Sequence, residues 1–165
     1  MELKKIIDIL ESSIQNPSKG LPEELFLFLS RITPIINVDL LIKNEQNHTL
    51  LTWRDDSYYP PGWHVPGGII RYKETIAERV YAVAKNELGA EVKFDPVPLA
   101  INGVIHDTRK NRGHFISLLY QCSLVTQPDE DLRCKSNSPN PSEWMWHGSC
   151  PANMISVHEM YRKFI

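Results

Sequence analysis

The residues from Gly68 to Ala90 predict a loop followed by an amphipathic helix, with a glycine at the start of the loop and another after the helix. Thr75, with Glu78 three positions later, forms a capping-box pattern that predicts the start of the helix. Gly89 predicts its end, since glycine readily takes the left-handed conformation that terminates helices. Between them, apolar residues recur at helical spacing, at Ile76, Val80, Val83, Ala84 and Leu88. One face of this helix is therefore predicted to belong to the core, while the other carries charge.

Acidic residues and glycines around this helix suit a site for phosphate and a metal. Glu74 precedes the helix, Glu87 lies near its end, and the run Val65–Gly68 comes before both. Adjacent glycines let the backbone approach a ligand closely. Positions 83, 86 and 87 share one helix face, where carboxylates could bind a hard cation, and of the three only Glu87 is acidic. A solvated helix and an ordinary tight turn are the alternatives, but the spacing of both glutamates from the glycines favours a site.

This pattern resembles the signature of the Nudix hydrolases, in which a glycine, a glutamate and an acidic helix build a magnesium site for a nucleoside diphosphate. The matching residues are Gly68, Glu74, Glu87 and Gly89. The departures lie within the helix, where Ala82 replaces the signature arginine and Val83 and Asn86 replace two glutamates. The resemblance implies an α/β fold and a magnesium cofactor, with manganese as a substitute.

Among Nudix enzymes the chain is most similar to the GDP-mannose mannosyl hydrolases, which also keep an apolar residue at the first helix glutamate and end the helix in Glu-Leu-Gly. The similarity runs from about Pro22 to the C-terminus and includes the segments 103–106, 113–115 and 157–161. It implies that Asp39 lines the active site and that Arg54 contacts the diphosphate. It also implies a nucleoside diphosphate-linked substrate, with a nucleotide sugar preferred, and a homodimer.

The predicted site residues fall into three groups. The predicted catalytic residues are Glu87, Asp39, His106 and His114. The predicted substrate-binding residues are Arg54, Gly68, Tyr58, Tyr59 and Phe115. The predicted metal ligands are Gly67, Glu87 and Asn140. The two histidines are candidates to replace a general base, because the loop in which the mannosyl hydrolases carry theirs contains no histidine here. Either tyrosine could stack on a nucleobase, and core packing is the alternative for both.

Two departures bear on activity. Ile69 and Ala82 stand where the family has arginines near the diphosphate. The basic loop with Arg109, Lys110 and Arg112 could replace their phosphate contacts, and a solvated turn is the alternative. Two function classes therefore stay open: a magnesium-dependent hydrolase, and a weakly active or non-catalytic nucleotide-binding module.

Composition limits the partners. A chain of 165 residues with 42% hydrophobic content suits a globular protein with a substantial core, and a net charge of -2 argues against non-specific nucleic-acid binding. Three cysteines without a Cys-x-x-Cys pair favour a reduced, cytoplasmic setting. Charged residues interrupt the first apolar stretch, so we expect neither a signal peptide nor membrane insertion.

The remaining pattern predicts a mixed β-sheet sandwiched between helices, with an extra N-terminal helix in residues 1–20 and a Nudix-type domain in residues 21–165. The apolar stripe Leu3, Ile6, Ile7, Leu10 and Ile14 should pack on the domain or on a second subunit. A second helix is predicted from Pro22. Hairpins are predicted between residues 35–43 and 49–53 and between 97–106 and 114–125. A strand at Trp144 and a helix over residues 155–164 follow.

Overall fold

The central helix forms as its sequence predicts. In the computed structural model, which describes residues 2–165, helix α3 spans Ile76–Leu88. The Thr75 hydroxyl accepts a hydrogen bond from the Glu78 amide at 3.2 Å, and the Glu78 carboxylate accepts one from the Thr75 amide at 2.7 Å. Gly89 ends the helix with φ 62°. The capping box and the glycine stop are thus both confirmed.

Eight strands in the described residues form two sheets around this helix. They are β1 (Ile35–Ile42), β2 (Thr49–Asp56), β3 (Tyr59–His64), β4 (Gly67–Ile69), β5 (Val92–Phe94), β6 (Ala100–Ile105), β7 (His114–Leu124) and β8 (Trp144–His147). The first sheet has the order β4-β1-β7-β5, and β6 also pairs with β7. Its β1–β7 pair is parallel and its other pairs are antiparallel. The second sheet has the order β3-β2-β8. The predicted α/β class with a mixed sheet is confirmed.

Strand β1 is buried on both faces from Val38 to Ile42. Side chains of successive strand residues point to opposite sides, so each face is covered by a different layer. Val38 and Leu40 pack with Val83 of α3 in one apolar cluster. Leu41 points the other way and packs with Leu51 of the second sheet. One face of the first sheet is therefore covered by α3 and the other by the second sheet, and Asp39 shares its face with Leu41.

The predicted hairpin between residues 35–43 and 49–53 is wrong. The two segments share only an isolated bridge between Lys43 and Thr49. Strand β1 pairs with β4 along residues 37–39 on one edge and with β7 on the other, and β2 pairs instead with β3 and β8. The second predicted hairpin is confirmed as β6 and β7, although β6 begins only at Ala100.

The N-terminal residues form two helices, α1 (Leu3–Ser12) and α2 (Glu23–Leu29), joined through a 3₁₀ turn at Pro17–Lys19. Helix α1 contains no buried residue, and Leu3 is 71% exposed. The stripe is therefore not buried in the domain, and its predicted packing on the domain or on a second subunit stays a prediction. In α2, by contrast, Leu25 is buried.

Residues Ser156–Phe164 form the predicted C-terminal helix, which is of the 3₁₀ type. Side chains three positions apart lie on one side of a 3₁₀ helix. His158 and Tyr161 have this spacing, and both are buried. In the described part of the chain, no helix is long and apolar enough to cross a membrane.

Candidate active site

Glu87, in the last turn of α3, is held by both sheets. Its Oε1 accepts a hydrogen bond from the Gly67 amide of β4 at 3.1 Å, and its Oε2 accepts one from the Thr52 hydroxyl of β2, also at 3.1 Å. Burial raises the pKa of Glu87 from 4.5 to about 7, although these two hydrogen bonds favour its charged form. The carboxyl group therefore changes its charge near neutral pH.

The two glycines of β4 provide space for their neighbours. Gly67 lies opposite Asp39 across the β1–β4 pair, and a Cβ atom at Gly67 would lie 2.2 Å from Asp39 Oδ1. A Cβ atom at Gly68 would lie 2.7 Å from a methyl group of Val83. Gly67 thus makes room for a carboxylate, and Gly68 lets α3 pack closely on the sheet. Val83, which replaces a signature glutamate, fills that contact.

Asp39 is buried in a cluster of hydrogen-bond donors. Its carboxylate accepts hydrogen bonds from the Ser117 hydroxyl, from the Tyr161 hydroxyl at 2.6 Å and from the Asn37 amide at 3.1 and 3.2 Å. Nε2 of His158 lies 3.9 Å from Asp39 Oδ1. Burial raises the pKa of Asp39 above its ordinary value, while these hydrogen bonds act in the opposite direction.

Two histidines that the sequence did not single out lie between the carboxyl groups. His64 Nδ1 donates to the carbonyl of Val65 at 2.9 Å, and its Nε2 lies 3.0 Å from the Thr52 hydroxyl. The Val65 amide donates to His158 Nδ1 at 3.0 Å, so the proton of the neutral ring is on Nε2, facing Asp39. Burial lowers the pKa of each histidine to about 3. Both imidazoles are therefore neutral at physiological pH.

The fold collects most of the predicted residues around two adjoining cavities. A cleft of about 740 Å³ is lined by Glu87, Gly67, Gly68 and Arg54, among others. A smaller cavity of about 100 Å³ is lined by Asp39, Tyr59 and Phe115, and it shares Arg54 and both glycines with the cleft. His64 lines both cavities, and His158 lines the smaller one.

Four predicted residues lie elsewhere. His106 lines a separate groove between β6 and the C-terminal 3₁₀ helix, and His114 is its neighbour across the β6–β7 turn. The Asn140 side chain donates to Glu143 at 2.9 Å, in the loop whose next residues, Pro141 and Ser142, line the cleft. Tyr58 lines neither cavity, and the guanidinium of Arg112 stacks on its ring. The structure thus brings His64 and His158, rather than His106 and His114, to the two carboxyl groups.

The signature glutamate Glu74 holds an arginine. Arg79 Nε and Nη2 donate to its two oxygens at 2.8 and 2.6 Å, and the Arg71 amide donates at 2.8 Å. These hydrogen bonds outweigh desolvation and lower the pKa of Glu74. Arg54 is likewise paired with Asp56. Glu74 therefore fixes the loop before α3 and the arginine beneath Gly68.

Comparison with known proteins agrees with this arrangement. The family model of the NUDIX domain matches residues 33–153. The chain belongs to the Nudix family. Low-salt glycan biosynthesis protein Agl8 of Haloferax volcanii is 28% identical over 120 residues, which cover 70% of this chain and 74% of that protein.

Solved Nudix structures share the fold. The MutT Nudix hydrolase of Burkholderia pseudomallei superposes with a TM-score of 0.62 at 16% identity, covering 81% of this chain and 98% of that one. A UDP-X diphosphatase superposes with a TM-score of 0.58 at 13% identity, covering 98% of this chain and 87% of that one. The second similarity therefore extends over the N-terminal helices as well.

Nudix hydrolases generally use divalent metals such as magnesium, and the donors around Glu87 fit such an ion. Among residues 2–165, no three His, Cys, Asp or Glu side chains form a ready-made metal cage, and Glu87 makes no salt bridge. Magnesium often binds one or two carboxylates and takes its other ligands from water and substrate phosphates. Glu87 and the Gly67 carbonyl are the groups that would hold it, since a buried carboxylate without a cationic partner favours a bound cation.

Glu87 should make the metal-free protein less stable as the pH rises from about 4.5 to about 7. Above pH 4.5 the unfolded chain loses the Glu87 proton, while the folded protein retains it until about pH 7. This carboxyl should thereby reduce the free energy of unfolding by on the order of 2–3 kcal/mol, at about 1.4 kcal/mol per pKa unit. Urea denaturation at about pH 5 and about pH 8 checks this. The parent should lose more stability than Glu87→Gln, and equal losses would contradict the burial of this group.

Proposed function

We propose that this protein is a magnesium-dependent hydrolase of a nucleoside diphosphate linked to another group, with nucleotide sugars as the preferred substrates. The observation that carries the proposal is the position of Glu87. Its carboxyl group is tied to Gly67 and Thr52, has no cationic partner among the described residues, and lines a 740 Å³ cleft. That volume is sufficient for a small-molecule ligand.

The residues around the cleft have separable roles in this proposal. A metal bound at Glu87 would neutralise the diphosphate and make it a better leaving group. Arg54, which lines both cavities, contacts a phosphate oxygen. Asp39 keeps His158 oriented, because the Nε2 proton of His158 faces the Asp39 carboxylate, and Tyr59 and Phe115 face the substrate in the smaller cavity. The neutral His64, whose Nε2 carries no proton, is positioned to accept a proton from an attacking water.

The sugar-nucleotide class has two supports. The mannosyl-hydrolase resemblance includes the apolar Val83 and the Glu87-Leu88-Gly89 ending of α3. The Haloferax volcanii relative is described as a glycan biosynthesis protein. We also infer a cytoplasmic homodimer, for which the exposed stripe of α1 offers an apolar contact surface.

A non-catalytic nucleotide-binding module is the second candidate. Ile69, Ala82 and Val83 replace residues that the Nudix signature uses, and Glu74 is already engaged by Arg79. Such a protein would keep the cleft and bind a nucleotide without turnover, because a fold does not by itself guarantee chemistry.

A substrate screen with magnesium separates these candidates. Nucleoside diphosphate sugars and dinucleoside polyphosphates are incubated with the full chain, and free sugar, sugar phosphate and nucleotides are measured separately. Free sugar with an intact nucleoside diphosphate indicates attack at carbon. Sugar phosphate with a nucleoside monophosphate indicates attack at phosphorus. Binding without any product would reject the hydrolase proposal in favour of the module.

A further inference from the structure

Part of the substrate cleft is built by residues that precede the matched family domain. Pro17, Gly20, Leu21 and Phe26 line the 740 Å³ cleft together with Glu87. The family match begins only at residue 33. The N-terminal segment therefore contributes a largely apolar wall to the same space that contains the predicted metal ligand.

This wall is fixed to the domain by specific contacts. The Ser30 hydroxyl, directly after α2, accepts a hydrogen bond from the Arg112 amide at 3.1 Å. Arg31 donates to the side-chain oxygen of Asn111 at 2.9 Å. Both contacts reach the turn between β6 and β7. Helix α2 and this turn thus form one unit at the rim of the cleft.

Arg112 is the residue at the centre of this unit. Its guanidinium lies 4.2 Å from the ring centroid of Tyr58 and 5.8 Å from that of Phe26. It lines both the large cleft and the smaller cavity that contains Asp39. Stacking on two aromatic rings restricts the orientation of a guanidinium. The side chain is therefore held where the two cavities meet.

Arg112 also has an unused hydrogen-bond donor. Its Nε is buried and has no partner among the described residues, and the side chain makes no salt bridge with them. A buried donor without an acceptor is costly. Its backbone has φ 52°, in the left-handed region that residues other than glycine seldom adopt. The Arg112 guanidinium therefore has hydrogen-bond donors that no protein acceptor uses.

Two other arginines of the cleft form ion pairs within the protein, whereas Arg71, which also lines the cleft, is exposed and makes no side-chain salt bridge among the described residues. Arg54 is paired with Asp56, and Arg79 is paired with Glu74. Arg109, on the same turn as Arg112, donates to the Tyr58 carbonyl and stacks on Tyr59. Arg112 differs from Arg71 because it is partly buried and stacked on aromatic rings, and its guanidinium lacks a protein acceptor.

We propose that Arg112 binds a phosphate oxygen of the substrate through the N–H groups of its guanidinium, and that Phe26 of the N-terminal segment positions the guanidinium. The substrate class rests on the proposed function. The cation that the family places after Pro-Gly-Gly is absent at Ile69, and Arg112 supplies a positive charge to the same cleft. The N-terminal segment is thereby part of the binding site.

Calorimetric titration of the full chain with inorganic pyrophosphate and with UDP and GDP, without added metal, tests this assignment. Arg112→Gln should bind all three probes about 10- to 100-fold more weakly, as expected for loss of a charge-assisted hydrogen bond. Lys110→Gln removes the same charge from the same turn at an exposed position outside the cleft, and it should bind within about twofold of the parent. Equal affinities of the parent and Arg112→Gln would overturn the inference, as would a parent that binds none of the probes.

The contribution of the N-terminal segment is tested with two matched substitutions on α2. Phe26→Ala should weaken pyrophosphate binding about two- to fivefold, because one ring that positions the guanidinium is lost. Phe28→Ala removes the same ring from a position that is 41% exposed and should leave binding unchanged. Circular dichroism verifies that each variant is folded. Equal effects of the two substitutions would overturn the role of Phe26. These affinities involve no turnover, so weakened binding in Arg112→Gln would stand even if the hydrolase screen detected no product.

Discussion

Replacing Glu87 with glutamine is expected to reduce metal-dependent turnover by about a hundredfold to ten-thousandfold. The substitution keeps the size and helix propensity of the side chain but removes the charge that would hold the cation. A bound metal provides several kcal/mol of transition-state stabilisation, which corresponds to a rate effect of this size. Steady-state rates of parent and variant with saturating magnesium and the best substrate from the screen measure the effect.

Glu78→Gln is the matched control for this substitution. Glu78 lies on the same helix and receives the Thr75 amide in the capping box at 2.7 Å, a role that glutamine can also fill. Its turnover and stability should stay close to those of the parent. If Glu87→Gln retained full activity while Glu78→Gln behaved normally, the metal site would have to lie elsewhere.

Gly67→Ala is expected to destabilise the protein by about 1–3 kcal/mol, the usual cost of overpacking a filled interior, and to abolish turnover. The new methyl group would lie 2.2 Å from Asp39 Oδ1 and 3.0 Å from the Val38 carbonyl oxygen. Relief of these contacts requires movement of β4 away from β1, which would also displace the Gly67 amide from Glu87. Thermal unfolding and steady-state kinetics measure the two effects.

Gly103→Ala provides the comparison for Gly67→Ala. Gly103 lies in β6, and a Cβ atom there would meet nothing within 4 Å. Alanine at this position should leave activity unchanged and stability equal or slightly higher, because glycine is entropically unfavourable in a strand. A similar loss of stability in both variants would show that the contact with Asp39 is not the cause.

Features that depend on neighbouring residues could be predicted from the sequence. Helix α3 was predictable from its capping box, its apolar spacing and Gly89, and the β6–β7 hairpin from two runs around one turn. The pairing of β1 was not, because its partners are the distant strand β7 and the short strand β4. A short loop between two apolar runs favours a hairpin locally, and burial of β1 on both faces overrides that preference.

In the candidate site, too, local features could be predicted from the sequence and contacts between distant residues could not. Glu87, Gly67 and Asp39 come together as the spacing and the family resemblance suggested, although their roles stay predictions. His64 and His158 could not be paired from the sequence, because the hydrogen bond that links their segments spans 93 positions from Val65 to His158. The available signals were weak: His64 stands just before Val65-Pro66-Gly67-Gly68, and His158 stands three positions before Tyr161.

The 3₁₀ helix over residues 156–164 has a consequence for the order in which the protein is made. Tyr161 donates to Asp39 across 122 positions of sequence, so the ribosome exposes the acceptor long before its donor. A nascent chain that stops short of residue 156 can form β1 but leaves the Asp39 carboxylate without the Tyr161 hydroxyl. Assembly of this pocket is therefore a late event of biosynthesis, and translation intermediates should carry an incomplete pocket.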